Sequence, residues 1–137
     1  MTNSNPSRPK GKSMARKIRI TTGDLKTEAE LNESKTAQAI WEALPIEGKS
    51  NLWGEEIYFS IPVKASLEKG ARDVLSAGEL GYWPPGHAFC IFFGLTPASQ
   101  GNEIRAASAV NVIGKVLADP KTFLKAQDGA KITLEKI

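Results

Sequence analysis

Residues 81–94 place an apolar strand behind a proline turn, in the stretch Gly81-Tyr82-Trp83-Pro84-Pro85-Gly86-His87-Ala88-Phe89-Cys90-Ile91-Phe92-Phe93-Gly94. Because proline donates no backbone hydrogen bond, Pro84-Pro85-Gly86 should end the pairing of a strand over 79–83. The run 87–94 is almost continuously apolar, which is typical of a strand buried on both faces. It is far shorter than the roughly 20 apolar residues that cross a bilayer.

The segment before this stretch contains a hairpin and a helix. Residues 17–31 alternate between apolar and polar side chains on either side of a turn at Gly23-Asp24, which predicts two paired strands. The period then changes to that of a helix, which should begin at the N-cap Ser34 and end before Pro45. Its apolar face consists of Ala37, Ile40, Trp41 and Leu44.

Residues 53–62 alternate again and predict a strand with two unlike faces. One face carries Ile57, Phe59 and Ile61, and the other carries Glu56, Tyr58 and Ser60. Residues 64–78 are weakly patterned, with a short strand or turn expected near Val74. Residues 96–109 are rich in Ser, Gln, Gly and Asn and are expected to form a polar loop.

The C-terminal part should add two strands around a short helix. The strands are predicted at 110–116 and 131–135, and Asp119-Pro120 supplies an N-cap and first helical position for a helix through about Ala126. Many short strands with one or two helices favour a closed barrel or a sandwich.

Composition and charge predict one domain, over 16–137, behind a disordered basic tail, over 1–15. The net charge is +3, but six of the eighteen basic residues lie before residue 20 and no acid precedes Asp24. From residue 20 onward, twelve basic residues face fifteen acids, a balance of −3. A mildly acidic domain without interleaved basic and aromatic residues argues against nucleic acid as a partner.

Cofactor and metal chemistry find little support in the sequence. With one Cys and one His, the chain cannot form an internal disulfide or a Cys/His zinc site, and it carries no phosphate- or dinucleotide-binding glycine pattern. We therefore expect no metal and no cofactor. The polar N-terminus does not resemble a secretory signal, so the expectation is a cytoplasmic protein with no membrane partner.

Three segments, in order, resemble cyclophilins. Ser34-Lys35-Thr36-Ala37 resembles the start of their first helix, and Ile91-Phe92-Phe93 looks like their aromatic groove strand. Val112-Ile113-Gly114-Lys115-Val116, followed by a short helix and Lys131-Ile132-Thr133-Leu134, resembles their C-terminal end.

The chain is more closely similar to a prokaryotic family of uncharacterised cyclophilin-like proteins. The motifs that carry this resemblance are Trp53-Gly54-Glu55-Glu56-Ile57-Tyr58-Phe59, Gly81-Tyr82-Trp83-Pro84-Pro85-Gly86 and Ile91-Phe92-Phe93-Gly94 with Thr96-Pro97. The resemblance covers roughly residues 16 to 137. It implies a mostly β fold: a closed eight-stranded cyclophilin-like barrel with one main helix and one short C-terminal helix.

The sequence departs from the prolyl isomerases at their catalytic arginine. Those enzymes place it in the strand after the first helix, where this chain reads Gly54-Glu55-Glu56-Ile57, so the resemblance implies a carboxylate at or near that position. No equivalent of their Q-G-G-D segment follows. Their mechanism uses a cation to weaken amide resonance, which an anion cannot do. Fold alone therefore does not carry the activity over.

The predicted ligand-binding residues combine strand alternation with this resemblance. They are Glu56, Tyr58, Tyr82, Trp83, His87, Phe93, Arg105 and Asn111, with Phe92 as the alternative to Phe93 if the register differs by one. His87 and Cys90 lie three residues apart and so face opposite sides of a strand, which disfavours a Cys-His nucleophilic pair. Cys90 is expected to be an inert core thiol. No catalytic residue is assigned.

These residues favour a binding protein that holds a small molecule or short peptide in a surface groove. The alternative is an enzyme, either a divergent prolyl isomerase or a hydrolase or lyase that uses Glu56. A third hypothesis is an assembly module whose barrel edge pairs with another subunit. The sequence leaves the oligomeric state open.

Overall fold

The structure is a computed structural model that describes residues 16–137. The predicted disordered tail, 1–15, lies outside the described residues. Residues 16–137 form ten strands, one α-helix and two short 3-10 helices, which confirms a mostly β fold. The strands are β1 (Arg16–Thr22), β2 (Leu25–Leu31), β3 (Ile46–Lys49), β4 (Asn51–Leu52), β5 (Glu56–Ser60), β6 (Arg72–Leu75), β7 (Glu79–Trp83), β8 (Ala88–Phe92), β9 (Ile104–Val116) and β10 (Lys131–Lys136). The helices are α1 (Lys35–Ala43) and the 3-10 helices Pro84–Gly86 and Pro120–Lys125.

The predicted hairpin and main helix are confirmed. β1 and β2 pair antiparallel, and Gly23 turns the chain between them with a positive φ of 58°. The Ser34 side chain accepts a hydrogen bond of 3.2 Å from the backbone N–H of Ala37 and so caps α1. The described helices are all too short or too polar to span a bilayer as a transmembrane helix.

The sheet is not the closed eight-stranded barrel that the resemblance implies. Its strands follow the order β3-β10-β1-β2-β9-β7-β8-β5-β4, with β6 paired to β9 outside that path. The two ends, β3 and β4, are successive segments of one chain, so they meet at Ser50 without pairing with each other. Ser50 is fully buried, and its single hydroxyl proton is shared between the carbonyls of Gln127 and Ala130, each 3.0 Å from Oγ. These bonds fix the bend between β3, which pairs with β10, and β4, which pairs with β5.

Two local predictions are corrected. The polar loop expected over 96–109 is wrong in its second half, because β9 begins at Ile104 and continues for 13 residues. The polar Ser and Arg side chains there alternate with buried Ile104, Ala106 and Val110, a pattern that the polar composition hid. The C-terminal helix lies where Asp119 predicted it, but it is a 3-10 helix over Pro120–Lys125.

Strand β8 separates two apolar clusters and confirms the prediction of a strand buried on both faces. Phe89 and Ile91 lie in the main core, which also includes the inner faces of α1, β1, β2 and β10. Ala88, Cys90 and Phe92 face the other way. There they join an outer cluster that also contains Leu75, Ile104, Ala106 and Val110, with Tyr58, Trp83 and Val112 packed against it.

The outer cluster exists because β9 crosses β7 at short range. β9 pairs with β6 over its first half and with β7 beyond Val110, and the β7 register shifts at Gly81. A Cβ atom on Gly81 would lie 2.8 Å from Cγ2 of Val110 and 3.1 Å from the Phe92 ring. The glycine therefore allows the first half of β9 to fold over the outer face of β7 and β8.

Candidate functional site

The outer face of the sheet contains a cavity of about 220 Å³, called here the outer cavity. Four strands and one turn contribute to its wall. The lining residues are Trp53 before β5, Glu56 and Tyr58 on β5, Trp83 on β7, Cys90 on β8, and Ala106, Ala107 and Val110 on β9. The wall is therefore mainly aromatic and aliphatic, with a single carboxyl group among these residues.

Alternation along β5 places Glu56 and Tyr58 in the cavity. Ile57 and Phe59 belong to the main core, so the residues between them must face outward. Pairing with β8 sets Tyr58 opposite Cys90 and Glu56 opposite Phe92. The two faces predicted for this strand are confirmed.

Glu56 is a buried carboxyl group, with 5% of its surface exposed. Burial disfavours the charged form and raises its pKa from 4.5 to about 7, while the nearby Cys90 thiol, which donates to the Ala88 carbonyl at 3.8 Å, acts in the opposite direction. No Lys, Arg or His is among the described residues that line the cavity. Glu56 consequently changes its charge near neutral pH without a cationic neighbour on the cavity wall.

Cys90 lies beside Glu56 and is 1% exposed. Burial raises the pKa of its thiol well above the usual value, and the Glu56 carboxylate raises it further. The group is therefore a neutral hydrogen-bond donor at neutral pH rather than a thiolate nucleophile. The sequence predicted an inert core thiol, which agrees with this protonation state, but it did not place Cys90 on the cavity wall.

Three aromatic side chains, Trp53, Tyr58 and Trp83, line the cavity. Trp83 donates a hydrogen bond of 2.7 Å from Nε1 to the Ser108 hydroxyl, which holds its indole ring in place. Tyr58 and Trp53 are each half-buried. Trp53 was not among the predicted site residues, because a strand over 53–62 would put it on the face of Ile57 and Phe59. In the structure β5 begins only at Glu56, so the strand period does not extend back to Trp53.

Tyr82, Phe93 and Asn111 are structural residues that point away from the outer cavity. Tyr82 is fully buried in the main core, and its hydroxyl donates to the carbonyl of Val63 at 2.5 Å. Phe93 packs in the same core, 5.9 Å from the ring of Phe123. Phe92, the alternative one position earlier, faces the outer cluster but is not part of the cavity wall.

Asn111 joins three segments of the chain beneath α1. Its Nδ2 donates to the Thr36 hydroxyl at 3.0 Å and to the Ser66 carbonyl at 2.9 Å. Its Oδ1 accepts a hydrogen bond of 2.7 Å from the backbone N–H of Glu68. All the polar atoms of the side chain are thereby used inside the protein.

The remaining two predicted residues lie outside the cavity as well. His87 is exposed and ends the first 3-10 helix in a left-handed conformation, with φ of 48°. Arg105 forms ion pairs with Asp73, at 2.7 Å, and with Glu103. Of the eight predicted residues, the structure brings Glu56, Tyr58 and Trp83 together at the cavity.

The cavity wall also contains three small residues that sequence reasoning did not identify. Ala106, Ala107 and Val110 all lie on β9, in or next to the segment interpreted as a polar loop. The apolar residues at 104, 106 and 110 were the signal in the sequence that could have indicated a strand there. Within residues 16–137, no three His, Cys, Asp or Glu side chains cluster closely enough to hold a metal ion.

Comparison with known proteins finds a family and a solved structure. The family described as Cyclophilin-like matches residues 16–135. The solution structure of a hypothetical protein from Archaeoglobus fulgidus is 39% identical and superposes with a TM-score of 0.76, over 90% of this chain and 95% of that chain. None of the curated proteins compared matches the sequence.

Proposed function

Since this chain belongs to the cyclophilin-like family, we propose that it is a binding protein whose outer cavity holds one small, mostly apolar molecule. The observation that carries the proposal is a preformed aromatic cavity with one carboxyl group in its wall. A concave apolar site with few polar groups is the common form of a small-molecule site in proteins. The apolar wall would supply affinity, and Glu56 would orient a hydrogen-bond donor of the ligand.

The size of the cavity supports a small molecule rather than a peptide. Its volume of about 220 Å³ is below the roughly 300–1,000 Å³ of sites for drug-sized ligands. An apolar cavity of about 150 Å³ accommodates benzene. The outer cavity therefore has room for one ring or branched group with a short polar substituent.

Binding can be followed at the three tryptophans. Neutral ring compounds such as phenol, indole and cyclohexanol should shift the indole N–H resonances of Trp53 and Trp83 in a protein NMR spectrum. Trp41 provides the internal reference, because it lies on α1 next to Lys136 and does not line the cavity. Saturable shifts at Trp53 and Trp83, with none at Trp41, are the expected result.

An occluding substitution tests the location. Ala107 is exposed and lines the cavity, so Ala107→Phe should reduce affinity for these compounds at least tenfold by filling part of the space. Ala77 is also exposed but does not line the cavity, and Ala77→Phe should leave affinity within twofold. Equal affinities of the two variants would contradict the proposed site.

Prolyl isomerase activity is not expected. That reaction would need a cation at the reacting amide, and the described cavity wall contains none. The rate of cis/trans exchange in a panel of Xaa-Pro peptides should equal the spontaneous rate. Acceleration that survives Glu56→Gln would replace the binding proposal with an isomerase.

Proton transfer by Glu56 is the second candidate function. A carboxyl group with a pKa of about 7 can act as a general acid or base at neutral pH, as a hydrolase or lyase would require. Such a reaction would also need a second catalytic group. The candidate next to Glu56 is the buried, neutral Cys90 thiol on β8. Turnover of a bound ligand that Glu56→Gln abolishes would favour this function over simple binding.

A further inference from the structure

We infer that the ligand of the outer cavity is a small organic ammonium ion, methylated at nitrogen. This inference rests on the proposed function and specifies the chemical class of the ligand. Three features of the wall carry it: the charge that the ligand must complement, the aromatic surface around that charge, and the scarcity of hydrogen-bond acceptors.

The charge of the cavity is unbalanced. Glu56 is the residue with a formal negative charge among the described lining residues, and no lining residue carries a positive one. The other polar side chains that face the cavity, the Tyr58 hydroxyl on the same strand and the Cys90 thiol on β8, provide no positive charge to balance it. A buried carboxylate without a partner is costly, so a cationic ligand would remove that cost while a neutral ligand would leave it in place.

The aromatic surface around Glu56 favours a cation over other donors. Trp53, Tyr58 and Trp83 all line the same small cavity. The faces of aromatic rings attract ammonium groups, most strongly in tryptophan, and enclosures of several rings recognise quaternary ammonium ligands. The hydrogen bond from Trp83 to Ser108 means that one of these rings is already positioned before a ligand binds.

The degree of methylation follows from the hydrogen-bonding inventory. A primary ammonium has three N–H donors that need acceptors. Among the described lining side chains, the oxygen acceptors are the Glu56 carboxylate and the Tyr58 hydroxyl. The rest of the wall is mainly carbon surface, and Trp83 Nε1 is a donor that is already bonded to Ser108. Methyl groups on the nitrogen would remove the unmet donors and contact Ala106, Ala107 and Val110.

The test compares a cation with its uncharged isostere. Choline and 3,3-dimethylbutan-1-ol have the same branched shape, but nitrogen carries a charge in the first and is replaced by carbon in the second. Calorimetric titration at pH 8 should find choline bound at least tenfold more tightly. Because choline requires ionised Glu56, its affinity should fall about tenfold from pH 8 to pH 6, whereas the affinity of the alcohol should not fall.

A pair of adjacent glutamates supplies the matched control. Glu56→Gln should reduce choline affinity at least tenfold and leave that of the alcohol within twofold. Glu55 is next in sequence but does not line the cavity, so Glu55→Gln should leave the choline affinity unchanged. Thermal melting of both variants checks that they are folded.

The outcomes separate this inference from the proposed function. Equal binding of the two probes, or tighter binding of the alcohol, would overturn the ammonium assignment and leave a cavity for neutral molecules. Failure of choline, the alcohol and the neutral ring compounds to shift Trp53 or Trp83 would overturn both.

Discussion

Replacing Glu56 by Gln should stabilise the folded protein at pH 8 by up to about 3 kcal/mol. Burial raises the pKa of Glu56 from 4.5 to about 7, so the folded state favours the protonated carboxyl. The unfolded chain releases that proton above its ordinary pKa. The free energy of unfolding of the wild type therefore falls as pH rises from 4.5 through 7, at about 1.4 kcal/mol per pH unit. Gln has the shape of the protonated side chain but cannot ionise.

The comparison requires two pH values. At pH 4 the Glu56 carboxyl of the wild type is mostly protonated in both the folded and the unfolded state. Chemical denaturation at that pH should therefore give nearly equal unfolding free energies for wild type and Glu56→Gln. At pH 8 the variant should be the more stable protein. Glu55→Gln should follow the wild-type pH dependence. A Glu56→Gln variant that is no more stable than wild type at pH 8 would show that the carboxyl group is not buried as described.

This stabilisation would come with a loss of function if Glu56 is a ligand-binding group. Residues held in an unfavourable environment are frequently those that a binding or catalytic site requires. A variant that gains stability at pH 8 and loses choline affinity would connect the buried charge to binding. Gained stability with unchanged choline affinity would leave Glu56 as a buried carboxyl without a role in recognition.

Asn111→Ala should destabilise the protein by about 3 kcal/mol, because it leaves several buried groups without partners. Asn111 is 1% exposed and connects Thr36 on α1 with the backbone of Ser66 and Glu68. The Glu68 carboxylate in turn accepts hydrogen bonds from the backbone N–H and the hydroxyl of Thr36. Removing one amide thus disturbs the attachment of residues 63–69 to the helix. Urea denaturation at constant pH measures the loss.

Asn51 supplies the control for this substitution. Its Nδ2 donates to the Tyr58 carbonyl at 3.2 Å, but the residue is exposed and water can replace the bond. Asn51→Ala should cost less than about 1 kcal/mol. Asn111→Ala protein that remains folded should bind cavity ligands with the affinity of the wild type. If Asn111 instead contacted the ligand, the substitution would reduce affinity without a large loss of stability.

Local pattern was sufficient for most of the secondary structure. Alternation identified β1, β2 and β5, and the N-caps Ser34 and Asp119 located the starts of α1 and the second 3-10 helix. The same alternation put Glu56 and Tyr58 on one face of β5. These features depend on neighbours a few residues apart, whose geometry the backbone period fixes.

The sequence did not show what packs against each strand face, because that depends on contacts between residues distant in sequence. The family resemblance assigned Phe93 and Asn111 to a groove, yet the registers of β8 and β9 turn both inward. Ala106 and Val110 line the same cavity as Glu56, and Gly81 allows β9 to cross β7 closely enough for this. The sequence by itself determined which residues share a strand face, since a period of two is local. Only the tertiary structure decided that the face of Glu56 is covered, and that cover is what excludes water and raises its pKa to about 7.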